Sequence, residues 1–420
     1  MEGIPLTRED REILALEDDN VAGHTCKVIV VDAPSLGIEE LRDGIAARLA
    51  AAPPLTRRLG GDERRGPRWV PADDFDIRRH VGAPEAQQPL SPASLRREVA
   101  RLFAERLDRD RPLWRIDLLS LEGDRTALVW RIHHALADGT AAMRFATAVL
   151  LDLESPEAPA RVVAPGREEG GHRRPLRALE NEVGFVEREF AGSLRRSPFD
   201  AAVGTRREVA FASVELEPLR SAAKELAAAT VNDAVLAVVA GGIRRWLEHH
   251  HGSLGSVRVK VPVSLHHEGD DAANRDSFFS LAVPIGDRDP VSRLRAVRGA
   301  TVPRKEAHDA EAMESLLREL ARVSPRLERF CERIQTSPRR FALTISNVRG
   351  PSCAASVLGR RVDRIHSLAE IRLRHALRVA TLSFSGRLWF GFCTDPEVVE
   401  GVDEMAAGVE AEAAELVAAA

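Results

Sequence analysis

The stretch Arg131-Ile132-His133-His134-Ala135-Leu136-Ala137-Asp138-Gly139 ends an apolar segment with two adjacent histidines and a turn. Residues 126–132 (TALVWRI) are largely apolar or β-branched, which predicts a strand that is covered on both faces. Because side chains alternate along a strand, His133 and His134 should point to opposite faces. The Asp-Gly pair then stops the strand, and residues 140–151 (TAAMRFATAVLL) predict a helix.

A histidine at the junction of a strand and a loop is well placed to act as a general base, since its unperturbed pKa lies near neutrality. One of the two imidazoles can reach a cavity while its neighbour packs or forms hydrogen bonds behind it. The alternative is a pair of core histidines followed by Asp138 as a helix cap. The spacing His-His-x-x-x-Asp-Gly favours a catalytic role over that alternative.

Composition excludes several classes of protein. The chain has 420 residues, enough for two lobes, and 60 basic against 64 acidic residues give no indication of a nucleic-acid partner. Its apolar fraction of 44% is typical of a globular protein. No apolar run approaches the roughly 20 residues needed to span a bilayer, and the acidic N-terminus has no signal-peptide pattern. Four scattered cysteines favour free thiols in a reducing, intracellular compartment.

Hydrophobic periodicity predicts strands and helices in both halves of the chain. The clearest period-two pattern covers residues 257–263, and the clearest long helix covers residues 231–248. Strands outnumber simple βαβ alternations, which predicts an α+β or α/β fold with mixed, largely antiparallel sheets and covering helices. Proline, glycine and charge dominate from about residue 154. We therefore predict a first lobe at 1–153, a crossover at 154–205 and a second lobe at 206–420.

Further motifs surround the two histidines in a fixed order. They are Pro112-Leu113-Trp114, Asn232-Asp233-Ala234-Val235-Leu236-Ala237, Val261-Pro262-Val263-Ser264 with Asn274-Arg275, and Ser346-Asn347-Val348-Arg349-Gly350-Pro351. With the HHxxxDG stretch, they resemble the motifs of the bacterial wax ester synthase/diacylglycerol acyltransferase family. That family lies within a larger group of CoA-dependent acyltransferases that includes chloramphenicol acetyltransferase and condensation domains. HHxxxDG alone identifies only the larger group, whereas the ordered set indicates the narrower family.

The resemblance covers nearly the whole chain and implies two chloramphenicol-acetyltransferase-like lobes with a tunnel between them. Some positions depart from the family pattern. Arg349 replaces a proline, Ala273 replaces a glycine, and His266-His267 stand where the family usually has an arginine. None of these changes removes a reacting group, but each can reshape a tunnel wall and so the choice of acceptor alcohol.

The resemblance supports His134 as the base that takes a proton from an acceptor hydroxyl. His133 is then a packed or hydrogen-bonded residue behind it. Asp138 has two interpretations: it can orient the imidazole as in a catalytic triad, or it can hold the loop by capping the helix and pairing with an arginine. The resemblance implies the second. Gly139 completes the turn as a supporting residue.

The remaining motif residues each have a structural and a functional interpretation. Asn232 and Asp233 can cap a helix or border the tunnel, and Asn274 and Arg275 are expected to support it. Ser346 and Asn347 can donate to an oxyanion or belong to a turn. Pro112, Leu113 and Trp114 are assigned to architecture or the tunnel wall. Arg258, Lys260, Arg339 and Arg340 are candidates for binding the CoA phosphates, and none of them is assigned.

The predicted function is an acyl-CoA-dependent O-acyltransferase that esterifies diacylglycerol or long-chain alcohols to triacylglycerol or wax ester. Acyl-CoA is a substrate, no bound cofactor or metal is expected, and no Gly-x-Ser-x-Gly elbow suggests an acyl-enzyme. One alternative is an enzyme of the same fold with another acceptor, such as a polyketide-associated esterifying enzyme. Another is a non-catalytic lipid-binding protein. We expect a cytoplasmic protein, with peripheral attachment to a membrane or lipid-inclusion surface left open.

Overall fold

The structure is a computed structural model that describes residues 3–62, 66–84, 88–155, 196–252, 255–264, 276–306, 337 and 339–420. The α-helices in these ranges are α1 (Arg8–Ala15), α2 (Ile38–Ala46), α3 (Pro92–Ala104), α4 (Gly139–Val149), α5 (Leu216–Ala227), α6 (Val231–His250), α7 (Pro290–Glu306) and α8 (Val402–Ala418). Short 3₁₀ turns lie at Leu49–Ala51, Pro53–Thr56 and Ile77–Arg79.

The strands of the described ranges form three sheets. They are β1 (Ile4–Pro5), β2 (His24–Val31), β3 (Arg57–Asp62), β4 (Gly66–Pro71), β5 (Val81–Gly82), β6 (Trp114–Leu121), β7 (Arg125–His133), β8 (Asp152–Leu153), β9 (Glu208–Glu215), β10 (Val257–Ser264), β11 (Asp276–Val283), β12 (Leu343–Arg349), β13 (Ala355–Val357), β14 (Arg360–Ala369), β15 (Leu377–Phe384) and β16 (Arg387–Thr394). A small sheet has the order β1-β4-β3.

The first large sheet has seven strands in the order β5-β6-β7-β2-β14-β13-β8. Only its β5–β6 pair is parallel. A hairpin joins β6 to β7, and Gly123 and Asp124 in its turn both have positive φ (77° and 57°). That conformation is open to glycine and tolerated by aspartate, so the turn chemistry matches the sequence. The hairpin places the end of β7 beside β2.

The second large sheet has six strands in the order β11-β10-β12-β15-β16-β9. Strand β12 is parallel to both of its neighbours, and the other pairs are antiparallel. Ser385 and Gly386 form the two-residue turn between β15 and β16, with φ of 47° and 77°. Positive φ at both positions is typical of the type I′ turn that suits the twist of a hairpin. Mixed, largely antiparallel sheets in two lobes are confirmed.

Strands β13 and β14 come from the second half of the chain but complete the sheet of the first half. Strand β14 is antiparallel to β2 over seven residue pairs, from Val362 opposite Val31 to Ala369 opposite Thr25, with a bulge between Val362 and Arg364. The two halves are therefore linked through a shared sheet. The boundaries at 153 and 205 remain predictions, and residues 156–195 of the predicted crossover lie outside the described residues.

Helices cover the two sheets. Helix α6 is buried along most of its length and packs against α8. Helices α2 and α4 cover an apolar cluster around Trp114 and Trp130. Among the described helices, none is by itself long and apolar enough to cross a membrane. Helices α5 and α6 pass that test only as a pair bent by 94°, and a mostly buried core helix such as α6 satisfies the same criterion.

Candidate functional site

The two adjacent histidines lie where β7 leaves the first large sheet. His133 is the last residue of β7 and stands opposite His24 of β2, and its backbone N–H donates to the carbonyl of Leu113 at 2.9 Å. The N–H of His134 donates to the carbonyl of Gly23, also at 2.9 Å. The backbone of both histidines is therefore fixed by β2 and by the residue that precedes β6.

The His133 side chain is buried, and its ring is hydrogen-bonded at Nδ1. This Nδ1 accepts from the N–H of Ala135 at 3.1 Å, so in the neutral ring Nε2 carries the proton. Nε2 lies 3.3 Å from Oε2 of Glu17, close enough for an ionic contact. His133 is therefore packed and hydrogen-bonded, and its place behind a reacting histidine remains a prediction.

Glu17 connects His133 to the loop before β6. Its Oε2 accepts from Arg109 at 2.7 Å as well as facing His133, and its side chain is almost fully buried. Burial opposes ionisation of this carboxyl, but the hydrogen bonds from His133 and Arg109 outweigh burial and lower the pKa of Glu17 to about 2. The ring of His133 therefore lies against a carboxylate, that of Glu17, which stays charged throughout the physiological pH range.

The side chain of His134 has a different environment. It is half-buried, and its Nδ1 is enclosed without a hydrogen bond to another described residue. Burial lowers the pKa of His134 to about 3, helped by the positive charges of Arg378 and Arg372 and opposed by Asp138. The ring is therefore neutral at neutral pH and able to accept a proton. His134 lies in the turn that follows β7, so the prediction that the two rings face opposite sides of the sheet stays a prediction.

Asp138 is the N-cap of α4. It is buried, and its Oδ1 accepts from the N–H of Ala141 at 2.7 Å, which confirms the predicted cap. The resemblance implies that Asp138 pairs with an arginine. The charge of Asp138 acts on a lysine, the buried Lys27 of β2. Burial lowers the pKa of Lys27 to about 8, and its Nζ donates to Ser367 at 2.7 Å.

Strand β12 brings the second sheet against the start of α4. A Cβ on Gly139 would lie 2.9 Å from Val348 Cγ2, so a residue larger than glycine would fit only if the Val348 side chain shifted slightly. Ser346 is on the same face of β12 as Val348, and its Oγ lies 3.5 Å from the carbonyl of Val379. Asn347 is exposed on the other face. Both residues lie inside the strand, and only Ser346 shares the face directed at Gly139.

Asp233 is a completely buried capping residue at the start of α6. With Thr230 it forms a reciprocal capping box, and it also accepts from Thr301 at 2.7 Å and from Lys305 at 3.0 Å. These bonds tie α6 to α7, so the capping interpretation is confirmed. Asn232 is half-buried in the same turn. Its expected place beside a tunnel remains a prediction.

The Pro112-Leu113-Trp114 motif enters β6 as part of the core. All three residues are buried. The Trp114 indole donates to the carbonyl of Leu55 at 2.7 Å and stacks on His80 with 4.7 Å between ring centroids. The architectural assignment is therefore confirmed, and because Leu113 accepts from His133, the motif also positions the end of β7.

Some predicted residues cannot be placed. Asn274, Arg275 and the His266-His267 pair lie outside the described residues. Two of the cavities in the described part measure about 320 and 420 Å³; Arg131 borders the first and Arg374 the second. Neither lining contains His134, so the tunnel stays a prediction.

Two of the candidates for CoA phosphates have partners inside the protein. Arg258 donates to Ser280 at 2.9 Å, and Nζ of Lys260 lies 3.4 Å from the centroid of the Phe278 ring. The sequence alone did not indicate Glu17, Lys27, Arg372 or Arg378. For Lys27 a signal existed, because a lysine inside the otherwise apolar run Cys26–Val31 is an unusual burial.

Comparison with known proteins identifies relatives of the whole chain. The family model described as wax ester synthase/diacylglycerol acyltransferase catalytic domain matches residues 6–191, and the one described as WS/DGAT C-terminal domain matches residues 272–416. A Mycobacterium tuberculosis protein named as a probable diacyglycerol O-acyltransferase is 28% identical, covering 98% of this chain and 96% of that protein. The O-acyltransferase WSD of Acinetobacter baylyi is 25% identical over 86% of this chain and 84% of its own length.

Solved structures show the same fold. A wax ester synthase/diacylglycerol acyltransferase from Marinobacter aquaeolei VT8 superposes with a TM-score of 0.69 at 20% identity, covering 98% of each chain. The first condensation domain of the CDA synthetase gives a TM-score of 0.62 at 18% identity, covering 99% of this chain and 96% of that one. The predicted two-lobed fold of the chloramphenicol-acetyltransferase type is confirmed.

Proposed function

The chain belongs to the wax ester synthase/diacylglycerol acyltransferase family and is an acyltransferase. We propose that it esterifies diacylglycerol or a long-chain alcohol with an acyl group from acyl-CoA. The products are triacylglycerol or wax ester and free CoA. The observation that carries the proposal is the state of His134. It directly follows the last residue of β7 and is half-buried and held neutral, next to the buried His133, whose ring is hydrogen-bonded at Nδ1.

In this mechanism His134 is the general base. Nδ1 is enclosed and has no hydrogen-bond partner among the described residues, so we assign Nε2 as the accepting nitrogen. The base takes the proton of the acceptor hydroxyl while its oxygen attacks the thioester carbonyl. The tetrahedral intermediate then collapses and expels the CoA thiolate, which recovers the proton from the imidazolium. Both substrates are bound together, and no acyl-enzyme forms.

Positive charge and a hydroxyl near His134 can stabilise the oxyanion. Arg372 and Arg378 lie close enough to lower the pKa of His134, so their potential also favours negative charge that develops beside it. Of the two predicted oxyanion donors, Ser346 is the better candidate, because it shares the strand face that abuts Gly139. Asn347 is assigned no contact with the reacting atoms.

The test is a product analysis with labelled acyl-CoA and a mixture of diacylglycerol and a long-chain alcohol, separated by thin-layer chromatography. The wild type should form triacylglycerol, wax ester or both, and the ratio reports the acceptor preference. His134→Ala should lower kcat by about 10²–10⁴ with an unchanged circular dichroism spectrum. Undiminished turnover by a folded His134→Ala variant would refute the base, and labelled products with a different acceptor would refute the acceptor class.

We also propose that the protein works in the cytoplasm at the surface of a membrane or lipid inclusion, because both proposed reactants are largely apolar. Fractionation of cells that express the full chain should recover it with membranes or inclusions. Recovery only in the high-speed supernatant, with no binding to added liposomes, would contradict this location.

A further inference from the structure

Two adjacent histidines and a glutamate meet on the surface, where α6 ends and α8 begins. Nδ1 of His249 lies 2.8 Å from Oε2 of Glu404, and Nε2 of His250 lies 3.2 Å from the same oxygen. The three ligand atoms lie within 4.8 Å of one another. His249 is exposed, and His250 is half-buried. This cluster is far along the chain from the catalytic histidines and takes no part in the proposed reaction.

We propose that His249, His250 and Glu404 form a binding site for a divalent transition-metal ion of the zinc class. Two imidazole nitrogens and one carboxylate oxygen are donors that zinc takes in proteins, with solvent in the remaining position. A cation that prefers oxygen ligands, such as Mg²⁺, would find only one suitable side chain here.

The observed spacing is close to what a bound ion requires. Zinc binds histidine nitrogen at about 2.0–2.1 Å and carboxylate oxygen at about 2.0–2.2 Å, so neighbouring ligands of a tetrahedral ion stand about 3.3 Å apart. The nitrogens of His249 and His250 are 2.8 and 3.2 Å from the Glu404 oxygen. Small side-chain rotations would therefore replace the two hydrogen bonds with metal bonds.

The backbone explains why neighbouring histidines can share one partner. Consecutive residues of a helix diverge by about 100°, but His250 is the last residue of α6. Gly401, in the left-handed conformation with φ of 69°, directs the start of α8 towards this end. A Cβ at Gly401 would lie 3.1 Å from Oε1 of Glu404 and 3.8 Å from Nε2 of His250. The turn therefore brings the carboxylate against both rings.

An ion at this position would join two helices that are 154 residues apart at the contact. The same helices are already joined inside the protein, where Arg244 donates to the buried Glu412 at 2.9 Å. A ligand that binds only the folded state stabilises it by an amount that grows with the logarithm of the ligand concentration over its dissociation constant. Zinc should therefore raise the unfolding temperature of the protein.

The test titrates the untagged, metal-free full chain with Zn²⁺ at neutral pH by isothermal titration calorimetry, with thermal unfolding in parallel. His249→Gln, His250→Gln and Glu404→Gln should each weaken one Zn²⁺ site by at least about tenfold and remove the rise in unfolding temperature. Mg²⁺ should produce no such rise.

His251→Gln is the matched control, because His251 adjoins the cluster but is not one of its three ligands. This variant should keep the site. Wild-type affinity in all three ligand variants would place the ion elsewhere and overturn the proposal. If His251→Gln lost as much Zn²⁺ affinity as the ligand variants, the binding would be non-specific binding to a run of histidines, and the proposal would be overturned too. Circular dichroism confirms that each surface variant is folded.

Discussion

His133 and His134 are adjacent residues of the same type, but the fold gives their side chains different environments. The ring of His133 is buried between the N–H of Ala135 and the carboxylate of Glu17, and every contact fixes it in place. His134 has no hydrogen bond from its Nδ1 to another described residue, and the positive charges of Arg378 and Arg372 act on it, opposed by Asp138. The comparison shows that one step past the end of β7 exchanges a buried, hydrogen-bonded environment for a half-buried one.

The largest effect on stability should come from His133. His133→Ala leaves a cavity and removes the contact to Glu17, and we expect a loss of about 2–4 kcal/mol in the free energy of unfolding. Denaturant titration measures this loss, and His134→Ala is the matched control at the neighbouring position. The contrast fails if His134→Ala costs as much stability as His133→Ala, or if only His133→Ala lowers kcat in the folded enzyme.

Acid should destabilise the protein through its buried histidines. Burial lowers the pKa of His24, His134 and His366 from 6.5 to about 3. Below pH 6.5 the unfolded chain therefore binds protons that the folded chain rejects, so stability is intact above pH 6.5 and falls as the pH drops towards 3.

Thermal unfolding at a series of pH values measures that decline. His366→Phe removes one of the three groups while keeping an aromatic ring on Phe211, which stacks on His366 with 4.2 Å between centroids. The decline should be shallower in this variant. Identical pH slopes for the variant and the wild type would show that His366 does not contribute.

The smallest effect on stability should come from Asp138, the helix cap near the end of the HHxxxDG stretch. Asp138→Ala removes the bond to the N–H of Ala141 and should cost about 0.5–2 kcal/mol of stability, whereas Asp138→Asn keeps a capping oxygen and should cost less. The turnover number separates this role from a triad role. If Asp138→Asn lowered kcat as much as His134→Ala while leaving stability unchanged, Asp138 would orient the imidazole rather than only cap the helix.

Most of the fold could be predicted where one simple period governs a segment. The alternation at 257–263 and the apolar run before His133 both correspond to strands, and the turn residues at 385–386 mark a hairpin. Strand β14 was missed, because the bulge between Val362 and Arg364 breaks the alternation of its apolar residues. Helices α1, α5 and α7 and the β3–β4 hairpin were also not predicted.

The site was predictable only as far as one contiguous motif extends. The motif indicated the histidine pair and the Asp138 cap. Glu17 and Arg378 act on the histidines from two separate segments, and their proximity depends on tertiary packing that no local pattern encodes. The resemblance supplied the family, which the comparisons confirm.

The late position of β14 has a consequence for synthesis on the ribosome. Until residues 360–369 have emerged, β2 has no neighbour on one side, and its backbone groups there can pair with any other extended chain. Native closure of the sheet that carries His133 must therefore wait until about six-sevenths of the polypeptide has been made. A fragment that stops before β14 would keep the whole HHxxxDG stretch and yet present an open, aggregation-prone edge.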